Sequence, residues 1–218
     1  MYTSSTTIVV RSVQVRFSGF MFNLNSMQTV KFANKTLYCL GNTDLLHNEC
    51  VAVIGSRKLS RQAMLFDKDV TARICEDFTI VSGLAIGADT IAHQTAIKLN
   101  KPQIAVLPSG FNKITPRRNI KIALNILKQG GLLVSEYSPN TQATKNSYLQ
   151  RNQIVAQIAK MVVVVECSAQ SGTMNTVRCA NKLNKRLFAY LPTNPSKHFK
   201  ADGPQQIINS YNGQRMTK

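Results

Sequence analysis

The sequence predicts an α/β fold built on a doubly wound, mostly parallel sheet. Two observations carry that expectation. From Val51 onward, short runs rich in β-formers alternate with amphipathic runs of helical length. Several of the short runs are apolar throughout, as in Met161-Val162-Val163-Val164-Val165. A strand with one face in water alternates polar and apolar residues, so an unbroken apolar run belongs in a sheet covered on both faces. Strand–helix–strand spacing of this kind suits right-handed βαβ units, which lay successive strands parallel.

The predicted strands span 51–54, 79–81, 103–107, 132–134, 161–165 and 186–190. Between them fall predicted helices at 60–76, 88–99, 118–129, 149–160 and 172–184. Residues 1–35 read as short alternating runs and form an N-terminal extension without an assigned structure or role. An added strand pair and a poorly ordered leader are both open there. Residues 36–192 make up the sheet domain. After Pro192 the chain turns polar, with Pro, Asn and Gly scattered through it, and 193–218 reads as a loose or docking tail.

The 218 residues suit one domain with an extension, and a hydrophobic share of 44% supplies a core. Against 27 Lys and Arg stand 10 Asp and Glu, for a formal net charge of +17. Such an excess strains a compact state unless a polyanion compensates it, so nucleic acid is the expected partner. General basicity serving solubility is the competing account of the charge alone. Five cysteines (Cys39, Cys50, Cys75, Cys167 and Cys179) are odd in number and form no CxxC pair, which argues against a disulfide framework and a zinc site. Free thiols in a reducing compartment follow. The first 30 residues lack a signal peptide's apolar stretch, and no segment is apolar enough to span a bilayer. The expectation is a cytoplasmic protein with no membrane partner, no cofactor and no metal.

Ligands of open parallel sheets sit beyond the carboxyl ends of the strands, where helices begin. The first such loop is Gly55-Ser56-Arg57-Lys58. Its glycine permits close backbone approach, Ser60 can cap the next helix, and Arg57 offers a two-pronged partner to phosphate oxygens. The second loop, Gly83-Leu84-Ala85-Ile86-Gly87-Ala88-Asp89, is a small-residue turn of the kind that forms an anion nest. The third brings Ser109-Gly110, then Lys113, Arg117, Arg118 and Lys121. The fourth leads to Arg151-Asn152, and the fifth to Glu166 and then Ser171-Gly172-Thr173 at a helix start. A single glycine at a strand end is more often a plain turn. Several small-residue loops and three arginine-bearing ones on one sheet edge point instead to a polyanion site.

The remaining polar residues carry blander readings. Asp89, in the first turn of a helix, complements its dipole as a cap. Glu166 ends a buried strand and needs a partner such as Arg151, or a loop to orient. His93 has no second histidine at ligand spacing and reads as solvated or supporting. Tyr148 and Phe111 are the aromatics available for base stacking, with Phe111 read rather as a lid over the core. No Ser-His-Asp or Cys-His arrangement is suggested locally, so the chain is read as a binding protein and not an enzyme.

Several blocks together resemble the DNA-processing protein A family (DprA/Smf). They are Leu37-Tyr38-Cys39-Leu40-Gly41-Asn42, Leu45-Leu46 and Val51-Ala52-Val53-Ile54-Gly55-Ser56-Arg57-Lys58, then Ser82-Gly83-Leu84-Ala85 with Gly87, Asp89 and Ala92-His93. Arg151-Asn152 with Ile154, and Val165-Glu166 followed by Ser171-Gly172-Thr173, complete the set. The blocks keep the family's order and spacing over about residues 36–192. The resemblance implies an extended Rossmann-like fold that binds single-stranded DNA without evident catalysis. It also implies a homodimer and a RecA-type recombinase as the partner loaded during DNA uptake. It assigns DNA contacts to Arg57, to Arg117 after Thr115-Pro116, and to Arg151, with backbone at Gly55, Gly83, Ser171 and Gly172 lining a phosphate pocket. Ser56, Lys113, Arg118, Asn152 and Thr173 complete the expected DNA-binding set. The sequence departs from the family at Ala88, at Tyr148-Leu149-Gln150 where an aromatic–proline is usual, at Gln153 and at Cys167. The winged-helix-like C-terminal domain and the full helical N-terminal domain of many members have no counterpart, so a shortened member is expected.

Two rivals use the same topology. A dinucleotide-dependent oxidoreductase needs GxGxxG after the first strand and an acid ending the second. Here the first loop is Gly55-Ser56-Arg57 and the second strand ends Val81-Ser82-Gly83. An enzyme or sensor for a nucleotide-derived small ligand, on the pattern of the cytokinin-activating phosphoribohydrolases, would carry Pro-Gly-Gly-x-Gly-Thr. Ser171-Gly172-Thr173 is a partial echo of it.

Overall fold

The computed structural model describes residues 27–217, with the backbone of three short strands before them: β1 (Ile8–Val9), β2 (Val15–Phe17) and β3 (Phe20–Phe22). Strands β4 (Met27–Phe32) and β5 (Lys35–Gly41) follow as a hairpin. The alternating part then begins at β6 (Cys50–Ile54). It continues through α1 (Arg61–Asp77), β7 (Thr79–Ser82), α2 (Ala88–Lys98), β8 (Gln103–Leu107), α3 (Ile120–Lys128) and β9 (Leu132–Ser135). Each of these strands lies parallel to the one before, stepping away from β6 on one side. Helix α4 (Lys145–Ile158) carries the chain back to β10 (Met161–Val164), which pairs parallel with the other edge of β6, Val53 opposite Val163. Growth then continues outward through α5 (Thr173–Lys182), β11 (Arg186–Tyr190), α6 (Asp202–Ser210) and β12 (Gln214–Met216).

The resulting ten-stranded sheet has the order β1-β4-β5-β9-β8-β7-β6-β10-β11-β12. Its direction of growth reverses between β6 and β10. At such a switch point the connections leave to opposite faces of the sheet, and a crevice opens beyond the strand ends.

Burial explains why the strands read as unbroken apolar runs. Ala52, Ile54, Val162 and Val164 pack with Ile154, Val155, Met174, Val177 and Ile207 of α4, α5 and α6. Their neighbours Val51, Val53, Val163 and Val165 pack with Ala63, Phe66, Val70, Ala92 and Ala96 of α1 and α2. Successive residues of a strand point to opposite faces, so a strand covered twice has no position for a polar residue.

Strands β6 to β11 lie where the sequence places them, while the parallel edge strand β12 was not expected. One helix boundary needs correction, and three readings left open are decided. Helix α4 starts at Lys145 and not near 149, because Thr144 and Ser147 form a reciprocal capping box that fixes an earlier start. Part of the stretch left without a role, residues 27–35, contributes β4 and the start of β5, which extend the sheet antiparallel to β9. The reading of residues 1–26 lies largely outside the described residues. Of the two readings of the stretch after Pro192, loose or docking, the structure takes the second: α6 buries Ile207 in the core, and β12 pairs parallel with β11. Finally, Phe111 is fully buried beneath α3, which favours its reading as a core residue over base stacking.

All five cysteines are free. Burial pushes the thiols of Cys39, Cys50 and Cys167 up to about 12, so they stay protonated and unreactive at neutral pH. Among the described residues no helix is long and apolar enough to cross a membrane, and no group of three or more His, Cys, Asp or Glu side chains is placed to hold a metal ion.

Candidate nucleic-acid interface

A cleft of about 340 Å³ opens at the switch point. Four chain segments line it: Gly55, Ser56 and Arg57 after β6; Gly83, Ala85 and Asp89 after β7; Tyr148, Arg151 and Asn152 on α4; and Ser171, Gly172 and Thr173 leading into α5. Nine of the twelve sequence-assigned residues therefore meet in one place. Lys113, Arg117 and Arg118 do not line it. They stand exposed on the segment between β8 and α3, whose buried Asn119 donates to the Leu84 carbonyl at 2.9 Å and so ties this segment to the cleft wall.

The loop after β6 is held from inside. Ser56 N–H donates to the Glu166 carbonyl at 2.6 Å, and Ser56 O accepts from Ala88 N–H at 3.2 Å. Lys58 N–H turns back to Ser56 Oγ at 3.1 Å. Ser60 caps α1 by accepting from Ala63 N–H at 3.2 Å, as the sequence suggests. Most of this loop's polar backbone is thus spent on the protein. What remains for a ligand is the exposed Arg57 side chain, which forms no ion pair among the described residues.

The turn after β7 is not an open anion nest. Its amides at Gly83 and Ala85 already donate to Asp89 Oδ2 at 3.1 and 3.2 Å. The carboxylate six residues downstream takes the place an outside anion would occupy. It also holds the buried Leu84 at a φ of 58°, a left-handed conformation that costs a non-glycine residue about 1 kcal/mol or more. Asp89 is therefore a loop fastener as well as a first-turn acid.

Arg151 is likewise built in. It is 6% exposed. Its Nη1 donates to the carbonyls of Gly83 and, at 3.3 Å, of Val106, and its Nε donates to Asn152 Oδ1 at 3.0 Å. Burial lowers its pKa, and the nearby Asp89 carboxylate acts against that. Gly83 is required by this arrangement: a Cβ there would stand 1.8 Å from Arg151 Nη1. Asn152 Nδ2 passes the order onward to the Gly172 carbonyl at 3.2 Å. Tyr148 is half-buried between two cations, with the Arg57 guanidinium 5.5 Å and that of Arg151 5.9 Å from its ring centroid. An electron-rich ring face attracts both and keeps Arg57 beside the cleft.

For two further polar residues the structure decides between readings that the sequence left open. Glu166 does not pair with Arg151. It is fully buried, and it accepts from Ser60 N–H and Oγ–H at 3.0 and 2.6 Å and pairs with Lys200 at 3.0 Å. Lys200 was not among the sequence candidates, because 34 residues separate it from its acid. His93 is neither solvated nor a ligand. It is fully buried, with Nδ1 2.5 Å from Gln103 Oε1, while Gln103 Nε2 donates to the His93 carbonyl at 3.2 Å. That orientation makes Nδ1 the protonated nitrogen and leaves Nε2 without a hydrogen-bond partner among the described residues.

Burial holds the His93 pKa below its ordinary 6.5. Below about pH 6.5 the unfolded chain takes up a proton that the folded chain refuses, so this residue's contribution to stability is full above that pH and is lost as the pH falls. Asp67, whose carboxyl is raised by burial, works in the opposite sense. It favours the folded state at low pH and gives that up as the pH rises above its unfolded value of 3.8. Comparison with His93→Gln isolates the histidine. Between pH 6.5 and 5 the wild type is expected to lose up to about 1.4 kcal/mol per pH unit more than the variant, measured by urea unfolding. Parallel curves would show that the proton is accepted without unfolding.

Comparison with known proteins agrees with this geometry. The chain matches the family model described as DNA recombination-mediator protein A over residues 23–217. Protein Smf of Escherichia coli K12 is 38% identical over 176 residues, which is 79% of this chain and 46% of the relative. The X-ray structure of DNA processing protein A from Streptococcus pneumoniae superimposes with a TM-score of 0.77 at 32% identity, covering 84% of this chain and 63% of that one. DNA processing protein A of Helicobacter pylori, solved to explain its single-stranded DNA binding mode, gives 0.74 at 27% identity, covering 99% of this chain and 93% of that one. The chain spans about half the length of the curated relatives it matches, 46% and 54% for the E. coli and S. pneumoniae proteins. By its sheet order, its loops at the switch point and a family match over nearly its whole described length, the chain belongs to the DNA recombination-mediator protein A family, the DprA/Smf proteins of DNA processing.

Proposed function

We propose that this chain binds single-stranded DNA in the switch-point cleft, by phosphate contacts and stacking and without catalysis. The observation that carries the reading is the convergence of four loop and helix segments there, with Arg57 unpaired at its mouth and the start of α5 beneath. The two acids nearest the cleft do not oppose an anion, since Asp89 is spent on amides and Glu166 on Ser60 and Lys200. Arg57 is the phosphate anchor. Arg151 shapes the floor, and the amides of Gly172 and Thr173 at the start of α5 offer donors to a phosphate oxygen, while that of Ser171 is spent on the Ser168 carbonyl at 3.0 Å. Tyr148 is the aromatic of the cleft on which a base stacks once the exposed Arg57 turns from the ring to a phosphate. Lys113, Arg117 and Arg118 extend the path for neighbouring phosphates. The H. pylori relative, whose structure addresses single-stranded DNA binding and matches 99% of this chain, supports the same ligand.

Sequence preference is slight, because backbone contacts carry no base information. If about four phosphates are neutralised, the slope of log affinity against log salt is expected to be roughly −3. Oligonucleotide binding across a salt series, single- against double-stranded, measures it. A flat salt response, or thermal stabilisation by a mononucleotide with no retention of an oligonucleotide, would replace this reading with a small-ligand one. Hand-over to a RecA-type recombinase and a homodimeric working form belong to the same proposal. A monomer at micromolar concentration in sedimentation would remove the second.

A further inference from the structure

The loop that carries Arg57 is fastened by a residue from the far end of the chain. Lys200 Nζ lies 3.0 Å from Glu166 Oε1 and 3.2 Å from Ser56 Oγ, and it also donates to the Lys58 carbonyl. Three acceptors use the three protons of an ammonium group. Glu166 turns its other oxygen to Ser60, which caps α1, so one buried carboxylate joins Lys200 to the start of that helix. Two residues on, Asp202 Oδ2 accepts from Ala169 N–H at 2.8 Å, and Gly203 N–H donates to the Cys167 carbonyl at 3.2 Å. A Cβ on Gly203 would stand 2.4 Å from that carbonyl, so the segment can sit there only without a side chain. Residues 200–203 thus tie the loop after β6 to the loop after β10, which lead two of the four segments that line the cleft.

We infer that Lys200 is a positioning residue for nucleic-acid binding, and that the segment 200–203 sets the separation of these two loops. This rests on the reading that Arg57 anchors a phosphate there. Lys200 does not line the cleft, and its protons are spent, so it acts on the strand through the Arg57 loop. Without it Ser56 and Lys58 lose a shared donor, and the buried Glu166 loses its counter-ion. The loop must then be ordered by the ligand, and binding weakens by that ordering cost.

A double-mutant cycle on the full chain tests this, using a labelled single-stranded oligonucleotide and a melting curve for each variant. Lys200→Met is expected to weaken binding by about five- to tenfold in the wild-type background and to add little in the Arg57→Ala background. Lys200→Arg, which keeps a cation opposite Glu166, is expected to restore most of the affinity. Additive losses would overturn the inference by showing that Lys200 touches DNA independently of the loop. Wild-type affinity in Lys200→Met beside a weakened Arg57→Ala would overturn the inference alone, while wild-type affinity in Arg57→Ala overturns the cleft reading and the inference with it. If Lys200→Met does not fold, Lys200→Gln, which keeps N–H donors for Ser56 and Lys58 without the charge, is carried through the same cycle.

Discussion

Arg57→Ala is expected to weaken binding of single-stranded DNA by about tenfold to a hundredfold while leaving the melting temperature nearly unchanged. The side chain is exposed, forms no ion pair among the described residues, and stands over the Tyr148 ring, 5.5 Å from its centroid. An exposed cation over a ring contributes roughly 0.5–1 kcal/mol, so the fold loses little. A charge-assisted hydrogen bond to phosphate contributes about 1.5–3 kcal/mol, and each 1.4 kcal/mol is a factor of ten in affinity. The salt slope is expected to flatten by about 0.7, the share of one phosphate contact on a single strand. Arg57→Lys keeps the charge and the slope but not the two-pronged geometry, and falls between the two. Fluorescence anisotropy over a salt series reads all three quantities. An Arg57→Ala variant with the wild-type slope and affinity would move the binding site elsewhere on the protein.

What could be read from the sequence follows from where the chain encodes locally. The strands at the centre of the parallel part are packed on both faces, as Val51 and Ala52 are on opposite sides of β6, so their composition alone betrays them. The switch-point loops were legible because Gly55-Ser56-Arg57 follows a strand and Ser171-Gly172-Thr173 opens a helix, the places where an open parallel sheet meets its ligands. The hairpin of β4 and β5 was not, because its two-residue turn is Ala33-Asn34, at φ 45° and 65°, and not one of the glycine-bearing pairs that announce such turns. Helix α6 opens Asp202-Gly203-Pro204, which reads as a breaker until Cys167 is seen to demand the glycine. The fates of the buried ions were the least legible. Whether Glu166 pairs with Arg151 or Lys200 is decided by a contact between segments that have no sequence relation, and so is the filling of the Gly83–Ala85 nest by Asp89.

Arg151→Ala is expected to differ from Arg57→Ala in kind, losing stability together with binding. The family resemblance makes Arg151 a DNA contact; the fold makes it a buried strut. Its guanidinium supplies the Gly83 and Val106 carbonyls, and those carbonyls sit where water does not replace the donor. A buried acceptor left unpaired costs about 1–3 kcal/mol, and the void left by the side chain adds to that. A loss of about 2–5 kcal/mol corresponds to a fall in melting temperature of roughly 5–15 °C for a chain of this size. Binding is expected to fall about tenfold or more even well below the new melting temperature, by two routes. Tyr148 loses one of its two cations, and Asn152, released from Nε, no longer fixes the Gly172 carbonyl at the start of α5. Because both arginines act on the same ring, the double variant Arg57→Ala, Arg151→Ala is expected to bind less weakly than the product of the single losses. A thermal melt and a binding titration at 10 °C below the lower melting point separate the outcomes. Lost affinity at an unchanged melting temperature would make Arg151 a direct phosphate ligand. A lowered melting temperature at wild-type affinity would make it purely structural.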